Sequence, residues 1–434
     1  QLDTPRYVGA ENLRSMVEAG EEWVIGDDIE CTEEAAETIR MRLLGQVFAV
    51  SGQIVDEEIC SMEDVDRGAK VGLRWAKGPF ELANKLGINE AKYMAQDYCE
   101  LANFPLPNIW NRDTSFDFSY VDLDISGETA TITINRPEAM NALNETVVNQ
   151  LGKAVDAANS NSGVKTIVLD GAGKAFVAGA DVKFFVDKIR DDSFPEIYTF
   201  TANGHDVLNS LEYSKKTTIA LTTGLSLGGG LELALSCDYR IGTKKTQFRF
   251  PETNIGIFPG LGGTQRPPRI SGIPAARWAV LAGNFMTANI AYDLGLITHL
   301  VDVSEVDSVI AQISKTGKPD EKYPAKPRNS NSSIAKFSSA FYSDENMSRI
   351  LSGECPDGFD VEDKIVSRQL KSISRTAPIA LKMASELIDL ASSTTLKEGL
   401  GKELDNLEEI FSTKDALEGL SALIEGRKPA YQNQ

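Results

Sequence analysis

Residues 217–237 read TTIALTTGLSLGGGLELALSC. The first six are β-branched or apolar, the composition of a short strand. A glycine-rich turn follows, and from Leu231 the pattern reads as a helix. Strand, turn and helix in succession form one unit of α/β structure. Upstream the same alternation holds: a strand around Ile125, another over 130–134 (ATITI), a helix over 144–158 and a strand over 165–169 (KTIVL). The region from Phe118 onward therefore predicts an α/β domain.

Ahead of it the texture differs. Residues 33–55 carry Ile39, Leu43, Leu44, Val47, Phe48 and Ile54 at roughly helical spacing. Ser61 followed by Met-Glu-Asp reads as a helix N-terminus with acidic residues in its first turn. Gly78-Pro79 breaks that pattern and restarts a helix, and 90–102 reads as another. Residues 104–117, with two prolines and then polar residues, read as a linker. This predicts a small all-α domain over 1–112 and an α/β domain over 113–434. Within the latter, 315–359 opens rich in Lys, Pro, Ser and Asn, and predicts an exposed, partly flexible insertion. Helices resume over 361–390 and from 395.

Of the 434 residues, 42% are hydrophobic and 25% charged, the balance of a soluble globular protein. No apolar run approaches the roughly 18 residues that span a bilayer. The chain starts at Gln1 with no basic-then-apolar leader, which predicts a cytoplasmic protein with further sequence upstream. The net charge is −19; residues 1–112 hold 11 Lys+Arg against 21 Asp+Glu, and the remainder 33 against 42. So acidic a chain argues against nucleic acid and against an anionic membrane surface as partners. It says nothing against a small phosphorylated ligand, which needs only a few local cations. Cys31, Cys60, Cys99, Cys237 and Cys355 are scattered and form no CxxC, which points to a reducing compartment and no zinc site. With only His205 and His299, neither a His-based triad nor a multi-His metal site is expected. No strand–GxGxxG–helix unit occurs, so no dinucleotide site is expected in this chain.

Three segments can carry chemistry. In 224–237 the glycines let backbone approach a ligand, and the first helical N–H groups, lacking internal partners, favour a negative charge beside them. Glu232 stands there, although the dipole favours a Glu in a first turn without any function. In 175–183 (AFVAGADVK) an apolar strand passes through Gly179 to a helix start, which offers a second backbone donor; an ordinary turn capped by Asp181 has the same sequence. In 248–266 (FRFPETNIGIFPGLGGTQR) Glu252 follows Pro251 and precedes a glycine-rich loop, and a solvated Glu fits equally well. Together they are more telling. A thioester enolate needs two donors on its oxygen. Adding water to the conjugated double bond needs a base for the water and an acid for the α-carbon. Carboxyls can fill both roles if burial lifts their pKa toward neutrality.

These segments, with NRPEAMNALN (135–144), resemble the enoyl-CoA hydratase/isomerase, or crotonase, family in order and spacing. The tail FSTKDALEGLSALIEGRKP (411–429) is similar to its C-terminal helices. The resemblance covers about 113–434 outside the insertion. It implies a ClpP/crotonase-like spiral of ββα units with two sheets and a C-terminal helical region, assembled as a homotrimer or a dimer of trimers. It implies an oxyanion hole from the amides of Ala180 and Gly229. Glu232 matches the carboxylate that activates water, and Glu252 the one that exchanges the C2 proton. Retention of both implies a hydratase acting on a short-chain enoyl-CoA such as crotonyl-CoA, rather than a double-bond isomerase. Ala178, Asp181, Val182, Lys183, Gly228 and Gly260 match positions lining the acyl-CoA site. Thr223 and Ser226 replace an Asn and an Ala common in the family, and Phe258 replaces smaller residues, which implies a reshaped acyl pocket.

Residues 41–87 and 91–110 resemble the C-terminal helical domain of 3-hydroxyacyl-CoA dehydrogenases, in its second-copy form. Met41-Arg42 stands where the working copy has Asn-Arg, so this unit is expected to be inert by itself, a docking or oligomerisation element at most. The whole is similar to archaeal fusions of such a dehydrogenase with a C-terminal crotonyl-CoA hydratase. NAD would then belong only to an upstream NAD-binding part, and this chain would need no cofactor of its own.

Overall fold

A computed structural model describes Ser15, residues 18–20 and residues 32–434; Cys31 and most of the stretch before it lie outside the described residues. The chain forms two compact units, Gln1–Ser119 and Tyr120–Gln434.

The first unit is helical: α1 (Glu33–Asp56), α2 (Met62–Gly72), α3 (Pro79–Leu86) and α4 (Ile88–Ala102). Thr32 and Ser61 cap α1 and α2 through side-chain oxygens that accept from Ala35 and Asp64 amides. The buried positions of α1 are Gly45, Phe48, Ala49, Ser51 and Gly52, and Leu44 and Val47 pack against the same core, so the helical spacing holds for Leu44, Val47 and Phe48 but not for its first two residues. Ile39 and Leu43 are 53% and 60% exposed. The reason is close helix packing: a Cβ at Gly45 would meet the Met94 carbonyl of α4 at 2.4 Å. Nor is 104–117 a free linker. Trp110 is fully buried, donates from Nε1 to the Phe48 carbonyl at 3.1 Å, and sits 5.4 Å from the Phe116 ring. The prolines break the helix pattern without removing the segment from the core. Asp66 on α2 accepts from the amides of Phe80 and Glu81, both at 2.8 Å, and so closes the N-terminus of α3. Asp66→Ala leaves these buried donors without a partner, and is expected to cost about 1–3 kcal/mol. Thermal unfolding of the full chain checks this, and an unchanged midpoint would refute it.

The second unit contains two sheets. β1 (Val121–Ser126), β2 (Thr129–Ile134), β3 (Thr166–Gly171), β5 (Thr217–Thr222), β7 (Tyr239–Gly242) and β10 (His299–Leu300) form one, in that spatial order. β4 (Ala175–Ala178), β6 (Leu225–Leu227), β8 (Gln247–Arg249) and β9 (Met286–Thr287) form the other. Only the β1–β2 and β8–β9 pairs are antiparallel. Three successive strand pairs, β3/β4, β5/β6 and β7/β8, each place one strand in each sheet, which is the spiral of the expected α/β fold. Both faces of the inner strands are covered: all six β5 residues, three of them threonines, are buried. β2 alternates in burial, and the acidic edge strand β1 is largely exposed.

Helices fill the spaces between: α5 (Glu145–Ser160), capped by Asn144, then α6 (Val182–Arg190), α7 (Phe194–Glu212) and α8 (Gly229–Ser236). Beyond the sheets come α9 (Arg266–Ser271), α10 (Ile273–Leu281), α11 (Ala288–Asp293), α12 (Val306–Thr316), α13 (Ser333–Phe341) and α14 (Met347–Leu351). The C-terminal region is α15 (Lys364–Ile373), α16 (Pro378–Asp389), α17 (Leu396–Asp405), α18 (Leu407–Phe411) and α19 (Lys414–Glu425).

The stretch 315–359 is not the exposed loop that its composition predicts. It contains α13 and α14, and Phe341, Tyr342 and Ile350 are fully buried. Lys322 and Tyr323 reach the buried Glu212 at 2.8 Å, and Lys318 pairs with Asp238 at 3.1 Å. Two of the lysines that made it look solvated, Lys318 and Lys322, satisfy buried partners of opposite sign.

Candidate active site

A cavity of about 230 Å³ opens where β4 and β6 end and α6 and α8 begin. Sheet pairing explains the donors at its wall. Leu143 donates to the Gly179 carbonyl at 2.9 Å and accepts from the Asp181 amide at 2.8 Å. That bridge uses the groups on either side of Ala180 and turns the Ala180 N–H the other way. Gly229 is the first residue of α8, so its N–H has no partner within the helix. A Cβ at Gly229 would lie 3.9 Å from the Ala180 nitrogen, and both residues line the cavity.

Two carboxyls face the same space. Glu232, in the first turn of α8, is 2% exposed. Its Oε1 accepts from the amides of Leu261 at 2.7 Å and Gly263 at 2.6 Å. Glu252 is 7% exposed and opens a 3₁₀ turn, Glu252–Ile255, behind Pro251. Its Oε2 is buried with no hydrogen-bond partner. Its Oε1 rests against Gly228, where a Cβ would fall 2.2 Å away and φ is +45°, so this position needs glycine twice over. α19 braces the turn from behind, and Tyr431 donates to the Asn254 carbonyl at 2.6 Å.

Burial governs the electrostatics. Loss of water raises the Glu232 pKa to about 7, against the lowering effect of its two amide donors and Arg266. Glu252 is raised well above the ordinary carboxyl value, first by burial and then by the nearby Glu232 charge, with Arg249 opposing. Arg249 is itself fixed by the Gly283 carbonyl at 2.8 Å and Asn254 Oδ1 at 3.0 Å.

Ala178, Val182, Gly228 and Gly260 also line the cavity. Asp181 and Lys183 do not. Asp181 caps α6 by accepting from the Lys183 amide at 3.3 Å, and Arg136 lies 3.6 Å from it; the Lys183 side chain is exposed. Phe258 is in the wall, whereas Thr223 and Ser226 are not. Arg249, Phe185, Phe200 and Phe411 complete the wall without any local signal in the sequence, since they are brought there by β8, α6, α7 and α18. Among the described residues no cluster of three or more His, Cys, Asp or Glu can hold a metal ion. Cys60, Cys99, Cys237 and Cys355 are free thiols.

A family model described as enoyl-CoA hydratase/isomerase matches residues 129–434, and one described as the 3-hydroxyacyl-CoA dehydrogenase C-terminal domain matches residues 39–112. A short-chain-enoyl-CoA hydratase from Clostridium acetobutylicum is 29% identical over 313 residues, 72% of this chain and 97% of its own length. A crotonyl-CoA hydratase from Syntrophomonas wolfei is 36% identical over 198 residues, 45% of this chain and 75% of its own. The fold is that of an enoyl-CoA hydratase from Rhodobacter sphaeroides, with a TM-score of 0.62 at 24% identity over 72% of this chain and 92% of the other.

Proposed function

Because the chain belongs to the enoyl-CoA hydratase/isomerase family, we propose that it adds water reversibly across the 2,3 double bond of a short-chain enoyl-CoA, such as crotonyl-CoA, to give the 3-hydroxyacyl-CoA. The observation that carries this reading is the pair of buried carboxyls, Glu232 and Glu252, facing one cavity whose wall presents the Ala180 and Gly229 amides.

The thioester oxygen accepts from the Ala180 and Gly229 amides, which stabilise the negative charge that reaches it as the enolate forms. Glu232 takes a proton from water, whose oxygen attacks C3. Glu252 delivers a proton to C2. The proton on Glu232 then returns to Glu252, so one hydroxyl and one hydrogen are added and no outside electron donor is required. Burial raises both carboxyls, and the charge of one opposes ionisation of the other, so the pair can hold one proton for C2 while its ionised member takes the proton from water. The small volume and the Phe185, Phe258 and Phe411 walls favour a short acyl chain. Ala178, Val182, Gly228 and Gly260 contact the acyl thioester in this reading, and Asp181 and Lys183 are left to the coenzyme A moiety outside the cavity.

Loss of enoyl-thioester absorbance on incubation with crotonyl-CoA tests the activity, and no loss would end the reading. Its pH dependence is a second test. Activity is expected to rise as Glu232 ionises, around pH 7, and to fall at higher pH as Glu252 loses its proton. A rate already maximal at pH 5 would contradict the assignment.

The helical unit is proposed as a dehydrogenase-derived element without chemistry of its own. Met41, at the position where the working copy has Asn, packs against its core, and Arg42 pairs with Asp97 at 2.5 Å on the surface. The homotrimer or dimer of trimers is likewise proposed, and light scattering of the full chain decides it. Among the described residues no helix is long and apolar enough to cross a membrane.

A further inference from the structure

The loop that holds Glu232 is gripped from two sides. Four successive amides alternate between two buried carboxyls: Leu261 donates to Glu232, Gly262 to Glu403, Gly263 to Glu232 and Thr264 to Glu403. The Glu403 distances are 2.6 Å from Gly262 and 3.1 Å from Thr264, and the Thr264 hydroxyl adds a third bond at 2.5 Å. Glu403 is on α17, is fully buried, and does not line the cavity. The carbonyls are held as well. Arg266 donates to Leu261 at 3.0 Å, and His205 to Gly260 at 2.7 Å through Nε2, which must carry the hydrogen because a carbonyl can only accept. Such alternation fixes the direction of each peptide plane. If the grip of Glu403 is lost, the Gly262 and Thr264 planes are free to rotate, and the amides facing Glu232 rotate with them.

We propose that Glu403 is a positioning residue for hydration: it anchors the back of the 261–264 loop so that the loop's other two amides hold Glu232 where it takes the proton from water. This rests on the hydratase reading above. Glu252 is held by a different segment, the turn behind Pro251, so its proton transfer at C2 does not depend on Glu403. The charged and titratable groups facing Glu403 are Glu232 on α8, His205 on α7, and Arg266 and Arg269 on α9.

The test separates the two proton transfers. Glu403→Gln keeps an acceptor for Thr264 but turns an NH2 group toward the Gly262 N–H, donor against donor. Hydration of crotonyl-CoA is expected to fall on the order of 10²-fold, the effect of a catalytic group displaced by about 1 Å. KM should change little. Exchange of the C2 hydrogens of butyryl-CoA with D2O, which needs Glu252 and the oxyanion donors but no attacking water, is expected to persist. A variant that loses both activities in parallel, or neither, overturns the proposal. Should Glu403→Gln fail to fold, Thr264→Val removes the hydroxyl bond to Glu403, at the cost of one acceptor for Gln265 Nε2, which keeps the Leu387 carbonyl at 2.7 Å; it should show a smaller split of the same sign, and an equal loss of both activities there overturns the proposal too. Glu232→Gln is the control. If it impairs exchange as severely as hydration, the assigned roles of the two cavity carboxyls fail instead.

Discussion

Glu252→Gln is expected to lower crotonyl-CoA hydration by roughly 10²–10⁴-fold while leaving the chain folded. The side chains have nearly the same shape, so the contact with Gly228 and the Pro251 turn persist. What disappears is the ability to release and retake a proton at an oxygen that is buried and bonded to nothing else. Without it the C2 carbanion equivalent, though held as an enolate by the Ala180 and Gly229 amides, has no acid to complete the addition. The exchange of C2 hydrogens in D2O should fall with it. Thermal stability should hold or rise slightly, because the variant removes a carboxyl whose charged form burial opposes. Hydration at the wild-type rate in a folded Glu252→Gln protein would remove this residue from the mechanism.

Glu232→Gln should cost hydration a similar factor for a different reason. The amide oxygen of Gln can still accept from Leu261 and Gly263, so the loop stays in place, but the base that takes the proton from water is gone. The two variants are therefore expected to differ in C2 exchange, which Glu232→Gln should retain. Glu232→Ala is a poorer experiment, since it leaves two buried donors unsatisfied at about 1–3 kcal/mol each and confuses chemistry with folding. The same variant separates a hydratase from an isomerase. If the folded Glu232→Gln protein shifts the double bond of a 3-enoyl-CoA as fast as the wild type, and wild-type hydration is negligible beside that shift, the chain moves double bonds with Glu252 alone.

Much of the fold was legible because its signals are short-range. The run TTIALT reads as a strand from its own side chains, Ser61 reads as a helix N-terminus from the residues just beyond it, the helix read from Asn144 starts within one residue of that position, and Gly78-Pro79 marks a restart within one turn. Where reading failed, the deciding contact was remote. Ile39 and Leu43 fit a helical stripe, yet α4 approaches the glycine side of α1. The prolines before Trp110 suggested a linker, and only the cluster of Phe48, Phe80 and Phe116 shows why that indole is buried. The lysine-rich start of 315–359 looked solvated because Glu212, the acid that neutralises Lys322, lies 110 residues earlier in the chain.

By itself, the sequence determined the α/β alternation, the glycine turns and the positions of Glu232 and Glu252 at the starts of helical turns, since each follows from dihedral freedom, side-chain shape or a cap within a few residues. Only the tertiary structure decided which groups share a cavity and which carboxyls are dry. Glu232 finds its amide donors 29 and 31 residues away, and Glu403 grips the same loop from 139 and 141 residues away. Burial, unlike a cap or a turn, is a property of everything packed around a group, and no local stretch of chain contains it.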